Sequence, residues 1–165
     1  MEKKKKILIV DDDVDVITVL GSILTKAGYD VISALNKQEG LEKLRAEHPN
    51  LAILDVVMTT HYEGFELAQE MLNNPEFADI PFFIQSSIDI LVTSKASVQE
   101  MAHEFRKDPN FKDLQVLMIK NVEDNTAGID YKADDGKTYF FPVRDFIRKP
   151  VDAKKILPEI EKHIR

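Results

Sequence analysis

The chain has no cysteine, so disulfides and thiolate chemistry are excluded and a zinc site would lose its commonest ligand. Histidine does not replace it. The four histidines, His48, His61, His103 and His163, are scattered, with no HExxH-type spacing. Glycine is scarce, and the six present form neither GxGxxG nor GxxxxGK[ST], which disfavours Rossmann and P-loop nucleotide binding. Positive charge is in deficit. With 22 Lys and Arg against 29 Asp and Glu, the net charge of −7 argues against a nucleic-acid surface. The one basic block, Lys3 to Lys6, reads as a solvated tail. No apolar stretch is long enough to span a membrane, and nothing like a signal peptide precedes the first apolar run, so a soluble cytoplasmic protein is expected.

What is present is a recurring design. Ile7-Leu8-Ile9-Val10 runs into Asp11-Asp12-Asp13, Leu51-Ala52-Ile53-Leu54 runs into Asp55, and Asp145-Phe146-Ile147-Arg148 runs into Lys149-Pro150. Apolar runs this short read as buried parallel strands. Charges at the C-terminal ends of such strands lie where open α/β sheets bind ligands. If the strands are neighbours, two or three carboxylates and one ammonium meet in one crevice, which suits a divalent cation and a phosphoryl group.

The 165 residues suggest a single domain, 1–165, and 44% hydrophobic content is enough for a core. Strands are expected at 7–10, 30–34, 51–54 and 82–85, and helices at 14–27, 38–45 and 65–72. This alternation implies a parallel sheet covered on both faces, with the first strand central. Ser97 to Glu100 reads as a capping box ahead of a helix, and 116–119 as a strand. The segment 74–85 (Asn-Pro-Glu-Phe-Ala-Asp-Ile-Pro, then an apolar run) recurs at 108–119 with an offset of 34, which suggests an extra helix-strand unit. Asp135-Gly136 lies between 129–131 and 139–141, a hairpin signal, and 123–128 reads as loop. The last strand is expected at 143–148, and the closing helix, 152–164, should kink or start late because of Pro158.

In order along the chain, Ile-Leu-Ile-Val-Asp-Asp-Asp at 7–13, Leu-Ala-Ile-Leu-Asp at 51–55, Met58 with Glu63-Gly64-Phe65, and Lys149-Pro150 resemble a bacterial response regulator receiver domain. The resemblance implies a three-layer, flavodoxin-like, doubly wound α/β fold, with the segment 88–142 as an insertion before the last strand. It also implies roles. Asp55 would be the phosphoacceptor, a carboxylate nucleophile giving a high-energy acyl phosphate. Asp11 and Asp12 would position Mg²⁺ together with Asp55 and the Val57 carbonyl. Lys149 would ion-pair the phosphoryl group, with a cis proline after it. Ser86 would be the switch hydroxyl and Phe146 the switch aromatic. The implied donor is a histidine kinase or phosphotransfer protein, and the implied output is a changed surface for an unknown protein target. No output domain is expected after the closing helix. Simpler readings also fit single residues: Asp13 as a helix N-cap, Asp15 as a first-turn charge, Ser86 as a strand-end hydrogen bonder and Phe146 as core.

Three departures stand out. Thr59 takes the place of the usual proline after Met58, in a loop one residue longer than usual. The path from Ser86 to Lys149 is far longer than in a simple receiver, and if 116–119 were the fourth strand, Lys120 would replace the hydroxyl. Val57 and Ile88, two residues beyond Asp55 and Ser86, are both apolar and cannot orient a hydrolytic water, so slow self-dephosphorylation is expected. Two rival readings remain. A non-switching receiver-like scaffold would grip a partner through 88–142. A haloacid-dehalogenase-type phosphohydrolase would use Asp11 and Asp13, but it leaves Asp55 unexplained.

Overall fold

A computed structural model describes residues 4–55 and 63–164. In chain order the elements are β1 (Lys6–Val10), α1 (Val14–Lys26), β2 (Asp30–Ala34), α2 (Lys37–Glu47), β3 (Leu51–Asp55), α3 (Glu63–Asn73), β4 (Phe82–Ser86), β5 (Ile90–Thr93), α4 (Val98–Arg106), β6 (Val116–Asn121), β7 (Ala127–Lys132), β8 (Thr138–Val143), β9 (Asp145–Arg148) and α5 (Ala153–His163). They form two compact units, one of Met1–Ser86 with Ile147–Arg165 and one of Ser87–Phe146.

The first unit is an α/β layer structure on a five-stranded sheet ordered β2-β1-β3-β4-β9. The pairs β1–β2, β1–β3 and β3–β4 are parallel. The expected central place of β1 is corrected: β3 is the middle strand, and β1 lies between it and β2. The chain steps from β1 to β2 on one side, then crosses back to β3 on the other. That reversal makes a switch point between the C-terminal ends of β1 and β3, where open α/β sheets hold their ligands. Odd-numbered strand residues face one layer of helices. Ile7, Ile9, Leu51, Ile53, Phe83 and Ile147 share a core cluster with Leu20 and Leu24 of α1 and Ile156 and Ile160 of α5. Each such side chain, fully buried, contributes about 1.5–3 kcal/mol. On the even face α2 packs close. A Cβ added at Gly40 would lie 3.0 Å from Leu67 of α3 and 3.4 Å from Val10, so glycine permits this approach.

Local signals account for the helix ends. Asp13 caps α1 by accepting from the Asp15 and Val16 N–H groups, Asn36 caps α2, and Asp152 caps α5. Gly28 stops the α1 segment with φ of 100°. Of the two expected effects of Pro158, the late start does not occur: α5 begins at Ala153 and runs through the proline. Buried Ile156 and Ile160 flank the proline on the core side and hold the helix where one backbone hydrogen bond is missing.

The second unit carries a four-stranded sheet, β5-β6-β7-β8. β5 and β6 are parallel and linked through α4, whereas β6–β7 and β7–β8 are antiparallel. Val98 and Ala102 of α4 pack on Leu117 and Ile119 of β6, with Phe105, Phe111 and Phe140 against them. The hairpin turns at Gly136, whose φ of 84° suits glycine. Strand β5 was not expected. Its Val92 is 59% exposed, so the run carries no burial pattern and is held by pairing with β6. The expected strand 143–148 is two strands: Val143 closes β8 and Asp145 opens β9. The loop expected at 123–128 gives way to β7 at Ala127. The recurrence at offset 34 has a structural counterpart. Phe77 N–H donates to Asn74 O (2.9 Å) and Glu76 N–H to Asn74 Oδ1 (2.9 Å). Phe111 N–H and Asn110 N–H make the same two bonds to Asp108, at 3.0 and 2.9 Å.

Candidate functional site

The ends of the odd-numbered core columns turn polar together. Two residues beyond Ile9, Ile53, Phe83 and Ile147 stand Asp11, Asp55, Gln85 and Lys149. Side chains alternate along a strand, so all four continue one face at the C-terminal rim of the sheet. Asp55 and Gln85 are register partners on β3 and β4.

Asp11, Asp12 and Asp55 each offer a carboxylate oxygen within 4.8 Å of the others. Asp11 is fully buried and Asp55 nearly so, while Asp12 is exposed and opens the cluster to solvent. Lys149 Nζ lies 3.2 Å from Asp11 Oδ2 and 3.3 Å from Asp55 Oδ1. Asp11 Oδ1 accepts the Asp13 N–H at 2.9 Å. Its Oδ2 is buried and, among the described residues, has no hydrogen-bond partner beyond the ion pair with Lys149. Burial first, then the charge of Asp11, push the Asp55 carboxyl up to about 6, against the opposing pull of Lys149. Burial alone would lower the Lys149 ammonium, but Asp55 and Asp11 outweigh it and hold it above its ordinary value.

Three carboxylates around one ammonium leave an excess of negative charge. Hard oxygen donors, a buried carboxylate oxygen whose one close partner among the described residues is the ammonium, and an open side at Asp12 fit a divalent cation such as Mg²⁺. Val57, the fourth expected ligand, lies outside the described residues, as do Met58, Thr59, His61 and Tyr62.

Ser86 ends β4 next to β3 and is buried, and its carbonyl accepts the Lys149 N–H at 3.1 Å. Lys120 belongs to β6 in the second sheet and pairs with Asp145 at 2.9 Å, so β4 is the fourth strand of the main sheet. The Lys149–Pro150 bond is cis. Phe146 is half-buried on β9, within the residue range of the second unit. Asp13 is engaged as an N-cap, which removes the second acid that the phosphohydrolase reading required.

Gln85 was missed. It is fully buried, and among the described residues neither its Oε1 nor its Nε2 has a hydrogen-bond partner. Each such orphan costs about 1–3 kcal/mol. The only sequence signal is its place, two residues beyond Phe83 on the face that carries the acids. Gln85 also lines a cavity of about 430 Å³ with Val16, Val19, Lys149, Pro150 and Val151.

Comparison with known proteins is consistent across methods. Residues 7–119 match the response regulator receiver domain family. The match ends before Lys149, which β9 returns to the main sheet. The "Probable transcriptional regulator ycf27" of Cyanophora paradoxa is 36% identical over 85 residues, covering 52% of this chain and 34% of the relative. The chain thus spans about a third of the length of that curated relative. A putative response regulator from Chloroflexus aurantiacus superposes with a TM-score of 0.62 at 18% identity, covering 98% of both chains. The chemotaxis protein CheY4 of Vibrio cholerae gives 0.61 at 18% identity, covering 98% of this chain and 99% of its own. At that identity the likeness shows the fold. Among the described residues no helix is long and apolar enough to cross a membrane.

Proposed function

Since this chain belongs to the response regulator receiver family of two-component signalling, we propose that Asp55 accepts a phosphoryl group from a histidine kinase or phosphotransfer protein and that the modification switches a protein-binding surface. The observation that carries the reading is the convergence of the Asp11, Asp12 and Asp55 carboxylates within 4.8 Å, with the Lys149 ammonium 3.2–3.3 Å from two of them.

The chain's own groups suit the chemistry. An Asp55 oxygen attacks phosphorus, and the new O–P bond forms as the P–N bond to the donor imidazole breaks. The imidazole leaves with the electron pair. Lys149 brings its ammonium to the incoming phosphoryl oxygens, where it meets the charge that develops in the transfer. Asp11 and Asp12, with Asp55, would hold Mg²⁺, which when bound supplies charge neutralisation for carboxylates and phosphoryl oxygens. Ser86, at the end of β4, is placed in sequence to offer its hydroxyl to the same oxygens, and Phe146 is the aromatic that would follow it.

The test is incubation with a small-molecule phosphodonor and Mg²⁺, followed by mass spectrometry. One added phosphate on the peptide holding Asp55, absent in Asp55→Asn, is the expected result. Modification elsewhere, or none in a protein that binds Mg²⁺, refutes the reading. With apolar Val57 and Ile88 at the variable positions, the phosphorylated form should decay slowly without a phosphatase.

A further inference from the structure

The acceptor row contains one group for which the reaction above has no use. Gln85 stands beside Asp55 in register and ends the Phe83 column on the face that carries Asp11 and Asp55. It is buried to 0% exposure, and both amide atoms lack a hydrogen-bond partner among the described residues. A primary amide offers two donors and one good acceptor, and a fold that buries it idle is less stable for it. Such orphans persist where another state of the molecule uses them.

A candidate partner is close by. Lys149 and Gln85 line the same cavity between α1 and the 149–151 segment. In the structure the Lys149 ammonium is held by Asp11 Oδ2 and Asp55 Oδ1. Asp11 and Asp55 are also two of the three carboxylates that could hold a divalent cation. A divalent cation on these carboxylates competes with the ammonium for their oxygens, and the ammonium gives way as the cation arrives. Full withdrawal into solvent would lose the position from which it meets a phosphoryl group at Asp55. A neutral oxygen on the adjacent strand is the partner that holds an ammonium without competing for the cation.

We propose that Gln85 is a positioning residue of the acceptor site, its Oε1 receiving the Lys149 ammonium when a divalent cation occupies Asp11, Asp12 and Asp55. The proposal rests on the cation-dependent acceptor reading and deepens it. It describes two states of one lysine, bridging the two acids in the cation-free protein and held by Gln85 when the cation is bound. The orphaned amide of the first state is the vacant partner of the second.

The test uses the full chain and Gln85→Met, which keeps the length and volume of the side chain and removes the amide. Three measurements are made on each protein: thermal unfolding in EDTA, Mg²⁺ affinity by calorimetry, and the Lys149 ammonium resonance by nitrogen-detected NMR with and without Mg²⁺. Methionine should leave the cation-free protein as stable or raise its melting temperature, because it replaces an orphaned amide. It should weaken Mg²⁺ binding by about tenfold, as loss of a partner that supports a metal site does. It should also abolish the Mg²⁺-dependent shift of the Lys149 resonance seen in the wild type. A side chain that merely fills the core predicts unchanged Mg²⁺ affinity and an unchanged Lys149 response, and that result overturns the proposal. Absence of Mg²⁺ binding in the wild type would overturn the acceptor reading and the proposal together; wild-type binding with an indifferent Met variant overturns this proposal alone.

Discussion

Replacing Asp55 by asparagine should make the cation-free protein more stable at neutral pH. The change keeps the shape of the side chain and removes its charge. Burial and the neighbouring Asp11 hold the Asp55 carboxyl at about 6, against an ordinary value of 3.8. A carboxyl raised in this way favours folding when protonated. Its contribution is complete below about 4 and is lost as pH rises through about 6, because the folded state must then carry a charge that the unfolded chain carries more easily. The gap between the two values corresponds to about 3 kcal/mol of ionisation penalty at pH 7.5. Asparagine escapes that penalty but gives up the contact with Lys149 and brings an NH₂ group that needs an acceptor, which leaves a net gain of about 1–2 kcal/mol. For a chain of this length the melting temperature should rise by about 2–8 °C. The assay is thermal unfolding followed by far-ultraviolet circular dichroism in EDTA at pH 7.5 and pH 4. The gain should nearly vanish at pH 4, where Asp55 is protonated in the folded wild type. With Mg²⁺ at ten times its Kd the wild type alone should recover about 1.4 kcal/mol. An asparagine variant less stable than wild type at pH 7.5 without cation, or equally stabilised at both pH values, refutes the reasoning.

The same carboxyl predicts that Mg²⁺ affinity, measured by calorimetry, is steady above pH 7 and falls by about tenfold per pH unit below about 6, since the ligand must be ionised; a flat profile from pH 5 to 7.5 contradicts it. In the second unit, Gly128→Val should lower stability by about 1–3 kcal/mol in urea unfolding, because an added Cβ would lie 2.4 Å from the Phe140 ring. Arg106→Leu should cost about 3–5 kcal/mol, read as lost amide-exchange protection in β6 and β7, because it leaves the nearly buried Asp130 without the guanidinium 2.6 Å away. Phosphorylated protein, freed of donor by gel filtration, should keep its acyl phosphate far longer than a variant with Glu at Val57, followed by the loss of phosphate in mass spectra.

How much of this was readable in the chain follows from where each signal resides. Strands β1, β3 and β4 were legible because each is a run of apolar residues bounded by a charge, a proline or a turn, and burial of both faces leaves no other pattern. The acids of the candidate site were legible for the same reason: Asp11 and Asp55 each end such a run, and an acid there contrasts with everything before it. Strand β5 was not legible. Half-exposed, with Val92 turned outward, it owes its conformation to β6, about thirty residues on, and nothing local announces that pairing. The order of strands was partly hidden as well. Apolarity placed β1 in the interior, but which interior strand is the middle one depends on the direction of each crossover. The closing helix shows the converse case: Pro158 was expected to delay its start, and α5 nevertheless begins at Ala153 with buried Ile156 and Ile160 on either side of the proline.

Gln85 lies between these cases. Its sequence position carries the same information as Asp11 and Asp55: two residues past a core residue, on the odd face, at the end of a strand. What hid it was chemistry, for a neutral amide next to a serine draws less notice than an acid or a lysine. The structure changes its weight by showing that the amide is both buried and unpaired while the charges beside it are already shared. Read across the sheet, Asp11, Asp55, Gln85 and Lys149 form one polar layer on four apolar columns. Each column fixes its polar end by packing, and none of the four can be satisfied by the others at once. Two carboxylates compete for one ammonium, and among the described residues the Gln85 amide has no hydrogen-bond partner. A layer so frustrated lowers the stability of the cation-free protein and raises its affinity for whatever completes it, and these are two expressions of the same unsatisfied polar groups.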